Sequence, residues 1–282
     1  MKLYRYIPAL DQRDEDKLYF GMLDDLRNGR LKFAHPADFN DPMEAVMPYK
    51  FIRHGEIVSP NLEEIRQTIQ STADIKDWNT PRGRRILAVL PFGVPLEYAL
   101  MLSMSKVKDH QLMWAHYAGN HKGICLEFDF PDDFLSKVKW SEQAEFHMAN
   151  FGLVPSSGEV SYKHTRPPIV FSDGIAENNY DISGTLFSKP KCWAYEQEYR
   201  ILLCYPWNGE CRFTAGSKAK NDYFFEYPKE WLTGITLGIS LKDMFRRKIV
   251  ACVCAAGYQN VRWSEEKLKN GSFEITSGPI DI

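Results

Sequence analysis

Apolar and polar residues alternate over Leu3–Ile7 up to Pro8, the period of a short strand. Leu18, Leu23 and Leu26 fall near helical spacing within 14–27, and Asn28-Gly29 supplies a stop. Arg30–Ala34 then reads as a second strand. The segment 35–44, with its Asp, Asn and two prolines, reads as an ordered turn or loop. Leu62, Ile65, Ile69 and Ile75 mark one face of a helix over 60–78, and 86–104 is an apolar run broken by Pro91 and Pro95. A short helix over 113–121, stopped by Gly119 and Asn120, precedes a strand at 123–130.

Residues 131–157 read as a helical or loop insertion, 159–163 as a strand and 164–186 as irregular. The segment 186–204 runs from a loop or short helix into a strand at 198–204, and further strands are expected at 221–227 and 234–239. Leu241, Met244, Phe245, Ile249 and Cys252 form the apolar stripe of a helix over 241–256, with Arg246, Arg247 and Lys248 on its solvated face. A strand at 273–277 closes the series. Short strands with a few helices, not strictly alternating, predict one α+β domain spanning 1–282, with mixed or antiparallel sheets and flanking helices.

Composition narrows the function classes. Basic residues (35) nearly cancel acidic ones (37), so no global field draws the chain to nucleic acid or anionic lipid. No N-terminal apolar run approaches the roughly 20 residues that cross a bilayer, so a cytoplasmic protein without membrane contact is expected. The six cysteines lack framework spacing and are expected to be free, buried thiols of a reducing compartment. Cys252 and Cys254 lack a second pair for zinc, and His110, His116 and His121 are poorly spaced for a metal. The loops and motifs of P-loop hydrolysis, Rossmann hydride transfer, the nucleophile elbow and zinc proteolysis are all missing.

Two stretches carry candidate chemistry, 113–117 and 193–200. In a strand beginning near Tyr195, Glu196, Glu198 and Arg200 share one face. If that face is buried, one carboxyl pKa rises unless a cation compensates; the alternative is a solvated Glu–Arg pair. On a helix, Met113, His116 and Tyr117 face one way, either as a platform for a base or nicotinamide or as ordinary core. Arg5, in the first strand between Tyr4 and Tyr6, if buried demands an anion, either Glu198 or a ligand phosphate. The Asn40-Asp41-Pro42 turn is self-capped or functional.

The segments 3–6, 31–44, 113–129, 160–163, 189–203 and 235–239 in that order resemble the bacterial DUF2971 family, with W-x-Y-E-x-E-Y-R at 193–200 the most specific part. A second resemblance is to the three-part layout of ADP-ribosyltransferases: an Arg-bearing first strand, a middle aromatic motif and a late Glu. It implies a split-sheet fold, NAD as substrate and no metal. By that resemblance Glu198 stabilises the cationic ribose, Glu196 activates the acceptor, and Arg5, Tyr6, Asn40, Trp114, His116, Tyr117 and Arg200 form the NAD-binding set. The expected protein is an ADP-ribosyltransferase or NAD glycohydrolase, a toxin or phage-defence effector with a nucleic-acid or protein acceptor and a neutralising partner. Two alternatives stand beside it. One is a non-catalytic ligand- or nucleic-acid-binding module built on Trp114, Tyr117, Trp193 and Arg200; the other is a metal-dependent nuclease using Asp41, Glu196 and Glu198.

Overall fold

A computed structural model of the chain describes residues 1–11, 14–34, 39, 41, 43, 46–59, 61, 63, 79, 84, 94–95, 99–165, 168–172, 175–176, 182–204 and 223–281. Most of the turn at 35–44 and of the helix expected over 60–78 lies outside them. Lys2–Ile7 (β1), Ala99–Ser105 (β2), Ile124–Asp129 (β3), Val154–Glu159 (β4), Glu198–Cys204 (β5), Leu232–Leu237 (β6), Arg262–Leu268 (β7) and Ile275–Pro279 (β8) form one sheet in the order β4-β5-β2-β1-β3-β6-β7-β8. Neighbours are antiparallel except β6 and β7, which are parallel and joined through a helix. The helices used below are Phe20–Asn28 (α1), Gln111–Tyr117 (α2), Glu142–Phe151 (α3), Ile182–Leu186 (α4) and Asp243–Ala255 (α5). With the smaller sheets beside the large one, this is the mixed α+β architecture expected from the pattern. No helix among the described residues is long and apolar enough to cross a membrane.

Strand alternation builds two cores. One face of the sheet sends Leu102, Leu126, Ile201 and Ile235 into a core closed by Met22 and Leu26 of α1 and Phe245, Ile249 and Val253 of α5. On the other face α2 lays Met113 and Trp114 against Tyr6, Cys125 and Ile275.

The structure redraws several elements. Asp14–Leu18 is a strand paired with Leu10–Asp11 and the helix begins only at Phe20, because the DEDK run at 14–17 has no apolar stripe to bury. Its stop is as expected: Gly29 adopts φ 62° and its N–H caps the carbonyls of Asp25 and Leu26. The end of the stretch 131–157 enters β4, an edge strand, and 159–163 divides between β4 and a short strand at Ser161–Lys163.

Strand β2 hides in a continuous apolar run because a central strand buries both faces. β7 carries no apolar alternation because its buried position is Glu266, whose carboxylate pairs with His121 Nδ1 at 2.5 Å. In α5, Met244 is exposed and Val253 completes the stripe, while Arg246 folds back onto Glu265 and the Leu241 carbonyl. Of the described cysteines, Cys125 is buried but Cys192 and Cys254 are exposed.

Candidate functional site

The site begins as a fork in the sheet. β1 pairs with β3 from Lys2–Asp129 to Ile7–Ile124, yet meets β2 only at Tyr4–Ser105. On the far side of that pair Ala34 bridges Met101 with reciprocal 2.9 Å hydrogen bonds, so β1 and β2 part. The Ser103 carbonyl faces the gap and accepts from Arg5 Nη1. A cleft of about 330 Å³ occupies the fork, walled by Arg5, Tyr6 and Ser103 and by His116, Tyr117, Lys189, Glu196 and Glu198. A second hollow of about 440 Å³, reaching Asp11 and Asn120, shares Arg5, Tyr6, His116 and Tyr117 with the first.

The two glutamates reach the cleft from a turn rather than from one strand face. Lys191–Glu196 is a 3-10 turn, Gln197 is left-handed at φ 41°, and β5 starts at Glu198. The shared-face geometry read over 195–200 therefore holds only for Glu198 and Arg200, and the turn delivers Glu196 to the same place. Ser105 Oγ fixes the turn by donating to the Glu196 carbonyl at 2.6 Å, and the Glu198 N–H donates to the Tyr162 hydroxyl at 2.7 Å.

Both carboxylates are buried, and so are their cations. Lys189 Nζ donates to Glu196 Oε2 at 2.6 Å and to Glu198 Oε2 at 3.1 Å. Arg200 grips Glu198 in a fork, Nε to Oε1 at 2.8 Å and Nη2 to Oε2 at 3.1 Å, and its Nη1 donates to the Leu186 carbonyl. Glu196 Oε1 accepts from the Tyr117 hydroxyl. These settings separate the two acids. Burial opposes ionisation of Glu198, but the Arg200 and Lys189 charges, with hydrogen bonds from Arg200 and Ser103, outweigh it and hold the carboxyl well below its usual range. Burial raises the Glu196 carboxyl, with Lys189 and Tyr117 offsetting part of the rise and the Glu198 charge adding to it. Burial also lowers the Arg5 guanidinium, which feels Glu198 only at a distance. No carboxylate among the described residues lies within ion-pairing range of Arg5.

The family model DUF2971, described as a protein of unknown function, matches residues 113–201. Over this stretch the chain is similar to the DUF2971 family. No curated protein and no solved structure matches the chain. The DUF2971 stretch contributes Met113, His116, Tyr117, Lys189, Glu196 and Glu198 to the cleft, while Arg5, Tyr6 and the serines of β2 precede it.

Of the residues read from the sequence, Arg5, Tyr6, His116, Tyr117, Glu196 and Glu198 line one cleft. Trp114 does not: it is fully buried, edge-on to Tyr6 at 5.4 Å, because on α2 it points to the opposite side from His116. Arg200 is also fully buried behind Glu198 and holds that carboxylate rather than a ligand. Asn40 lies outside the described residues. Asp41 is not gathered with Glu196 and Glu198, and no three His, Cys, Asp or Glu side chains among the described residues group as a metal ion requires.

Lys189 and Ser103 were missed. A lysine in a Lys-Pro-Lys run reads as surface, and Ser103 sits in a strand that apolar continuity concealed. Only pairing of distant segments identifies either.

Proposed function

We propose that this protein cleaves NAD at the nicotinamide–ribose bond and passes the ADP-ribosyl group to an acceptor. The observation that carries the reading is the meeting of Arg5, Tyr117, Glu196 and Glu198 at one fork, with a second hollow continuing across Arg5. A dinucleotide suits such a groove: one nucleoside in each lobe and the diphosphate at the Arg5 guanidinium, which has no carboxylate partner among the described residues.

The chemistry divides between the two acids as their environments divide them. The C–N bond breaks with its electron pair leaving on nicotinamide, and positive charge develops on the ribose. Glu198, ionised under all ordinary conditions, stabilises that charge. The acceptor nucleophile then attacks the ribose carbon and gives its proton to Glu196, whose raised pKa suits a base. When the acceptor is water the reaction is NAD hydrolysis.

The test incubates purified protein with NAD carrying a label in the ADP-ribose half, measuring nicotinamide release and label transfer to lysate. Turnover is expected in the wild type, with a loss of about 10²-fold or more in Glu198→Gln. One observation favours a second reading, a binding pocket without catalysis: both Glu198 oxygens already accept from Arg200 and Lys189. That reading predicts no nicotinamide release and undiminished NAD binding in Glu198→Gln.

A further inference from the structure

The cleft opens beside a set of rings that the reaction above does not use. His116, which lines both hollows and is exposed, has its ring centroid 6.4 Å from Trp193 and 6.4 Å from Tyr195. Trp193 and Tyr195 lie 6.1 Å apart, each half-buried. Both are braced. His110 stacks on Tyr195 at 5.3 Å and 15°, and the Lys189 ammonium sits 5.0 Å from the Trp193 ring. Rings held in this way form a contact surface with little side-chain entropy left to lose.

We infer that His116, Trp193 and Tyr195 seat the acceptor, and that the acceptor is an unpaired base of single-stranded nucleic acid. Every base has a π-face, so a ring platform accepts any of them. Charge separates this occupant from an arginine of a protein acceptor, which would also stack on these rings. The turn that carries Trp193 and Tyr195 keeps Glu196 buried and inward, and the Glu198 that follows it is buried too, while Lys191 is its exposed charge. Asp109, which precedes His110, is exposed and accepts from Ser277 Oγ at 3.2 Å, and it is the nearby Lys108 ammonium that offsets its charge. An exposed ammonium beside the rings repels a guanidinium and attracts a phosphate.

The designation as an acceptor seat rests on the NAD-cleaving reading, but the binding does not require NAD, so the two fail separately. Fluorescence anisotropy without NAD would follow labelled oligothymidine, oligouridine and a DNA duplex of equal length at low salt, with an arginine-rich peptide as competitor. Single strands are expected to bind and duplex is not, and both Tyr195→Leu and His116→Ala should weaken binding about tenfold. His116 is exposed, so its replacement leaves the fold intact. Phe146→Ser, removing an exposed ring from α3, should change nothing. The inference is overturned by absence of oligonucleotide binding, by equal affinity for duplex, by undiminished binding in both ring variants, or by displacement at low peptide concentration.

Discussion

Glu196 and Glu198 stand two positions apart and have opposite relations to pH. Glu198, held low by Arg200 and Lys189 against the cost of burial, contributes stability that is present above its unfolded pKa of about 4.3 and is lost as pH falls through the lower folded value. Glu196 is raised by burial, so the folded state binds more protons than the unfolded one between about pH 4.3 and the folded pKa. Its contribution therefore falls as pH rises through that window. Glu196→Gln removes this slope and leaves the Glu198 slope in place. Denaturant unfolding at pH 5 and pH 7 should show the variant gaining on the wild type as pH rises; a constant difference would contradict the raised carboxyl. Neither setting was legible locally. The sequence placed two acids and an arginine near one another, but the ammonium that bridges the acids arrives from Lys189, outside the motif.

At the scale of elements, the site depends on where backbones approach closely. The loop after α2 crosses the start of β3 and the end of β6, and Gly238 donates to the Gly123 carbonyl at 2.9 Å. A Cβ on Gly238 would lie 2.2 Å from the His121 carbonyl oxygen, a backbone atom that cannot move aside cheaply. That carbonyl also accepts from Ser240 at 3.0 Å. Gly238→Ala is expected to cost about 1–3 kcal/mol or more, read as a lowered unfolding midpoint. On the proposed function it should also weaken NAD binding, since Asn120 of the same loop walls the second hollow. Asn120, φ 55°, and His121, φ 64°, hold the same loop in the left-handed region. Local pattern found the helix and its stop but not this crossing, because a glycine needed for close approach looks like a turn glycine.

For the molecule as a whole, the proposed function makes the fork the place where fold and ligand would be coupled. β1 is central in the sheet yet parts from one neighbour, and Arg5 occupies the gap with no carboxylate among the described residues in ion-pairing range. A half-buried guanidinium in this setting costs the unliganded protein, and a bound anion would offset that cost. Arg5→Met should leave the unliganded protein as stable as the wild type or more so. NAD at a hundredfold excess over its Kd should stabilise the wild type by about 2.7 kcal/mol, and the variant at the same concentration by far less. Thermal unfolding with and without NAD measures both; a wild type that NAD does not shift would remove the ligand reading. The α+β class, the stop at Gly29 and the strand at 198–204 were set by the sequence, through periodicity and turn chemistry within a few residues, and the DUF2971 stretch through its motifs; Arg5, Tyr117 and the two glutamates, singled out in the sequence, line one cleft. Only the tertiary structure decided that Trp114 is core while His116 faces the cleft, that Lys189 bridges the acids, and that β1 and β2 divide. Those outcomes depend on contacts between residues far apart in the chain, which no local pattern encodes.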